Sequence, residues 1–75
     1  MEEKILEIFK IANELNERQE KVYVQITYEA NNMKTFEIAI RSKQDFTYID
    51  KCEMQLKGNY KMKCNNIIKL IESYF

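Results

Sequence analysis

The chain has no histidine, no proline, no tryptophan and a single glycine, Gly58, among its 75 residues. Each absence excludes something. Without histidine, the usual general base at neutral pH and the commonest metal ligand are both missing. With Gly58 alone, a glycine-rich loop that cradles phosphate cannot be built. Two cysteines and no histidine cannot complete a standard four-ligand zinc site within one chain. No apolar run approaches the roughly 20 residues of a membrane span. The acidic start Met1-Glu2-Glu3-Lys4 lacks the basic-then-apolar order of an export signal. These observations predict a cytoplasmic protein, with Cys52 and Cys64 as reduced thiols, no cofactor, no membrane partner and no enzymatic activity.

What is present is enough for one small domain over residues 1–75. A chain of this size buries about 60% of the surface its unfolded form exposes. Its apolar fraction of 45% is that of a folded globule. Five tyrosines and four phenylalanines add large contact areas to a small core. Twelve Lys and Arg balance twelve Asp and Glu, so no overall field attracts nucleic acid or an anionic membrane. Zero net charge favours self-association.

Residues 2–20 carry Ile5, Ile8, Phe9, Ile11, Ala12 and Leu15 on one stripe at helical spacing, with the acidic residues opposite. At Lys21 the period drops to two. Val22, Val24, Ile26 and Tyr28 then alternate with Tyr23, Gln25 and Thr27, as in a strand with one buried face. Asn31-Asn32 is a turn signal. Alternation resumes with Phe36, Ile38 and Ile40, and Ser42-Lys43-Gln44-Asp45 turns the chain again. A third strand is expected from Phe46 toward Leu56, with Tyr48, Cys52, Met54 and Leu56 facing inward. Asp50 breaks that phase, which predicts a bulge near Ile49 or a place at the wet rim of the core. Lys57-Gly58-Asn59 is the strongest turn. Beyond it, Tyr60-Lys61-Met62-Lys63 either pairs back as a short fourth strand or runs extended into a final helix capped by Asn65. Short turns make the sheet an antiparallel meander. The expected fold is α+β: a two-layer sandwich of helix, three strands and helix, with both helices on one sheet face.

Few residues are placed for chemistry. Cys52 falls in the inward phase of a strand, where a thiol packs as a small hydrophobe, and Cys64 stands near a helix start whose dipole lowers a thiol pKa. The carboxylate pairs Glu2/Glu3, Glu14/Glu17 and Asp45/Asp50 have no context that raises a pKa for acid–base work. Binding residues are easier to name. Lys57, Lys61 and Lys63 cluster around Tyr60, a pattern that can hold a phosphate strand and stack a base. The same lysines can equally be solvated guards of a sheet edge. On the outer sheet face, Tyr23 is expected beside Arg41 as a cation–π pair, with Ala39 and Ile49 on the same side. With one aromatic there, a sheet face that reads RNA is not indicated. Leu6, Tyr23, Ala39, Ile49 and Tyr74-Phe75 are apolar groups that two layers do not clearly bury. They suit a protein interface, and a free sheet edge or helix face suits a homodimer.

The segment from Glu37 to Ile49 (Glu-Ile-Ala-Ile-Arg-Ser-Lys-Gln-Asp-Phe-Thr-Tyr-Ile), with Ile11-Ala12-Asn13-Glu14-Leu15-Asn16-Glu17 and Asn66-Ile67-Ile68-Lys69-Leu70-Ile71, resembles short uncharacterised proteins carried by phages and prophages of low-GC Gram-positive bacteria. That group brings no catalytic residue to carry over. The element order is also similar in outline to small phage inhibitors of bacterial defence, including certain anti-CRISPR proteins. The resemblance implies a binding protein of the host cytoplasm that inhibits a defence component, by protein contacts or by sequestering a nucleotide signal. The alternative is a nucleic-acid accessory protein using Lys57, Tyr60, Lys61 and Lys63.

Overall fold

A computed structural model describes residues 3–30 and 34–75. The elements run α1 (Glu3–Arg18), β1 (Val22–Glu29), β2 (Thr35–Ser42), β3 (Tyr48–Gln55) and α2 (Tyr60–Glu72). The strands form one antiparallel sheet in the order β1-β2-β3. The expected architecture is therefore the observed one. Glu2 and the Asn31-Asn32 turn lie outside the described residues.

The helical stripe of α1 buries Ile5, Ile8, Ala12 and Leu15. They meet Val24, Phe36, Ile38, Ile40 and Met54 from the sheet and Cys64, Ile67 and Ile71 from α2 in a single core. Both helices thus lie on one face, because only one face of each strand is apolar. Phe9 packs edge-on against Phe36, and Tyr28 stacks on Phe36 with ring centroids 4.6 Å apart. Tyr28 keeps its inward phase but sits at the sheet end, so it stays 46% exposed.

The two edges of the sheet are treated differently. On β1, the Asn16 side chain of α1 accepts a hydrogen bond from the Val24 N–H at 2.7 Å and donates one to the Val24 carbonyl at 3.1 Å. One amide so fills the place of a neighbouring strand. Lys43 Nζ donates to the carbonyls of Asn16 (3.1 Å) and Gln19, where a cation suits the exposed carbonyls and negative dipole end of α1. On β3, no strand lies on the far side among the described residues.

Three expectations about the second half are corrected. Tyr60–Lys63 is neither a fourth strand nor an extended approach: α2 begins at Tyr60, with Asn59 rather than Asn65 at its N-cap. Gly58, at φ +62°, turns the chain sharply enough for the helix to start at once, and the Met62 N–H already bonds to the Asn59 carbonyl. Once helical, Tyr60 and Cys64 are one turn apart on the same face, and both reach the core. Phe46 is not in β3 but in the turn before it, at φ +62°. Tyr48 does not face inward. Ile40 pairs with Asp50 but Arg41 pairs with Tyr48, so Ile49 is an extra residue in β3. The bulge predicted at Ile49 is present, and it turns Tyr48 to the outer face beside Arg41. Asp50 keeps the inward phase, half-buried at the rim.

Candidate functional site

The bulge and the β2–β3 turn together build a corner on the outer sheet face. The turn is closed by its own backbone: the Ser42 N–H donates to the Thr47 carbonyl and the Phe46 N–H to the Ser42 carbonyl, both at 2.9 Å. Asp45 Oδ1 accepts from the Thr47 hydroxyl at 2.8 Å and from the Thr47 N–H at 3.2 Å. Those bonds favour the carboxylate and hold the Asp45 pKa below its ordinary value, the Thr47 hydroxyl contributing most.

Arg41 ties this turn to the sheet. Its Nε donates to the Phe46 carbonyl at 2.9 Å, Nη2 donates to the same carbonyl, and Nη1 donates to Gln25 Oε1 at 2.8 Å. The guanidinium lies 4.6 Å from the centre of the Tyr48 ring, and Lys51 Nζ lies 5.4 Å from it. Tyr23 does pair across the strands with Arg41, but its ring stands edge-on to Phe46, with centroids 6.4 Å apart. The expected cation–π contact is therefore made by Tyr48 in place of Tyr23. The bulge decides this, because it moves Tyr48 to the side where the guanidinium lies. Ala39, expected as an exposed residue, lies between Gln25 and Lys51 in the sheet and is 2% exposed.

The corner leaves large apolar groups in water. Phe46 is 58% exposed, Tyr48 55% and Ile49 49%. Ile49, expected on the outer face, lines a cleft with Lys21, Val22, Ser42 and Lys43 at the end of the sheet. Phe46 also holds a left-handed backbone, which costs a non-glycine residue about 1 kcal/mol or more. Exposed ring and unfavourable backbone coincide at one residue, a pairing that belongs to functional sites more than to packing.

The basic segment does not assemble as its sequence suggested. Lys57, Lys61 and Lys63 are exposed, but Tyr60 is half-buried against the core and cannot stack a base between them. Lys63 points to a groove of about 260 Å³ between α2 and β3, lined also by Cys52, Glu53, Asn66, Ile67 and Leu70. Burial, and secondarily the Asp50 charge, raises the pKa of the Cys52 thiol. Cys64 is wholly buried, its Sγ 3.5 Å from Met54 Sδ, so it packs and is not activated by the helix start. Asp50 Oδ1 accepts the Lys51 N–H at 2.8 Å, and Glu14 and Glu17 lie exposed on α1. Among the interface candidates, Leu6 and Phe75 are exposed, whereas Tyr74 packs on the core. The Gln19 side chain donates to the Tyr74 and Phe75 carbonyls, fixing that segment to the end of α1.

Among the described residues no three Cys, Asp or Glu side chains gather as metal ligands, and no helix is long and apolar enough to cross a membrane. Sequence reasoning missed Phe46 and Tyr48 as partners of Arg41. The signal was a carboxylate at the inward-phased position 50, which allowed a bulge near Ile49 or a place at the rim, and a bulge turns over the residues on one side of it. Compared with protein families, curated proteins and solved structures, the chain matches none.

Proposed function

We propose that this protein is a non-enzymatic binding protein that engages a protein partner through the corner formed by Phe46 and Tyr48 with Arg41, Tyr23 and Lys51 on the outer face and by Ile49 at the end of the sheet. The observation that carries the reading is the coincidence of three large exposed apolar groups within four positions on a turn held by its own hydrogen bonds and by Arg41. Tyrosine and arginine are enriched where protein interfaces are tightest, and a fixed turn loses little entropy when it docks. Tyr48 has a guanidinium 4.6 Å and an ammonium 5.4 Å from its ring centre, and Tyr23 stands edge-on to Phe46, so the exposed rings are held in place by their neighbours. The resemblance to phage proteins supports a host defence component as the class of partner, contacted directly.

Tagged protein incubated with host lysate is expected to retain one stoichiometric protein. Phe46→Asn, which suits the left-handed backbone, and Tyr48→Ser should each weaken that capture about tenfold or more while leaving the circular dichroism spectrum unchanged. If Lys61→Glu with Lys63→Glu abolishes binding and the corner variants do not, or if the captured material is nucleic acid released by salt, the corner is not the site.

A further inference from the structure

The free edge of β3 has a charge pattern that selects a particular neighbour. Val24 turns its backbone groups outward to Asn16, so in β1 the residues Tyr23, Gln25 and Thr27 bond to β2. Ile38 and its alternates therefore bond to β3, and Cys52 and Met54 spend their backbone groups on β2. The Leu56 N–H, bonded to the Lys34 carbonyl at 3.1 Å, fits this alternation. What β3 presents at its open edge is the N–H and C=O groups of Glu53 and Gln55 and the C=O of Lys51, whose N–H is held by Asp50 Oδ1 at 2.8 Å and must exchange that partner when a strand docks. Their side chains lie on the outer face.

Glu53 is poorly matched within its own chain. Across β2 it faces Glu37, a like charge that disfavours the pairing. The nearby cation, Lys51 Nζ, is 3.5 Å from Glu37 Oε2, and no ion pair to Glu53 is formed among the described residues. Lys63 of α2 lines the same groove as Glu53 but makes no ion pair with it, so among the described residues Glu53 has no paired cation.

We infer that β3 pairs antiparallel with β3 of a second copy, in the register centred on Cys52, joining two sheets into one of six strands. Outward-bonding residues can pair only with outward-bonding residues, so the two-fold axis passes through a residue position. Centring on Asp50 opposes Asp50 to its own copy, on Lys51 opposes two lysines, on Glu53 opposes two glutamates, on Met54 sets Glu53 against the second copy's uncharged Gln55, and on Gln55 opposes two glutamines. Centring on Cys52 sets Lys51 against the second copy's Glu53 and Glu53 against its Lys51, supplying the missing cation twice. It also places the two Cys52 residues in a non-hydrogen-bonded pair, with Cα atoms about 4.5 Å apart, within disulfide reach. Cys52 is half-buried beside the groove under α2, not sealed beneath the helix.

Two experiments test the register. Sedimentation should show a concentration-dependent monomer–dimer equilibrium. Lys51→Glu and Glu53→Lys each turn two attractions into two repulsions and should raise the dimer Kd about tenfold or more. The double variant restores opposite charges and should return to within about threefold of the parent. Lys51→Glu also loses its Glu37 contact, so the unaltered protein supplies an independent reading. Diamide, which takes two protons and two electrons from facing thiols, should give a covalent dimer whose peptide map joins Cys52 to Cys52. A strict monomer at millimolar concentration, a double variant as weak as the singles, or a cross-link through Cys64 overturns the inference.

Discussion

Phe46 and Asp45 show how single residues set this surface. Phe46 places its ring in water at the cost of a left-handed backbone, and neighbours compensate: Arg41 grips its carbonyl and Asp45 closes the turn beyond it. The Asp45 carboxyl has its folded pKa lowered below the model-compound value of 3.8 by hydrogen bonds from Thr47. Its charged form therefore stabilises the turn fully above that unfolded value, and the stabilisation is lost as pH falls through the folded one. In an NMR titration the Thr47 amide should shift at a pH below 3.8, and Asp45→Asn should remove that transition. An amide shift centred at or above the unfolded value would show that the carboxylate does not hold the turn.

At the scale of elements, the two edge strands have opposite fates. α1 lends Asn16 to β1, and the price of losing it is two unpaired backbone groups. Asn16→Ala should destabilise the protein by about 1–3 kcal/mol and speed hydrogen exchange at Val24. If Val24 exchanges no faster, water replaces the side chain and the clamp contributes nothing. Element by element, the chain was readable where periodicity is strong. The stripe from Ile5 to Leu15 and the alternations in β1 and β2 each have one solution that buries the apolar residues. Tyr60–Lys63 was not readable, because four residues of alternating size and charge fit a strand or a first helical turn equally well. The core chose between them, since only the helix delivers both Tyr60 and Cys64 to it.

For the whole molecule, one core holds both layers, so stability is shared and small. A 75-residue domain has about 4–11 kcal/mol to lose. Leu15 is fully buried where α1 meets the rest of the core. Leu15→Ala should cost about 2–5 kcal/mol, read as a lower urea midpoint with an unchanged slope. A loss below about 1 kcal/mol, close to the effect of a surface change, would mean that the core collapses around the gap. A six-stranded dimer would carry two outer-face corners on one continuous surface, so a partner with two sites would be held by both.

The sequence by itself determined the order helix, three strands, helix and the two-layer arrangement, because both follow from where apolar residues recur. It offered a bulge near Ile49 as one of two accounts of the carboxylate that interrupts them. Only the tertiary structure decided what the bulge does. Its consequence is a relation between strands: Tyr48 turns outward, Arg41 meets it instead of Tyr23, and Phe46 is left exposed at the corner. Such a relation depends on register across β2 and β3, and no residue's neighbours in the chain record which residue it will face across a sheet. The absence of histidine and the single glycine narrowed the chemistry in advance, whereas the surface that remains for binding came from pairing.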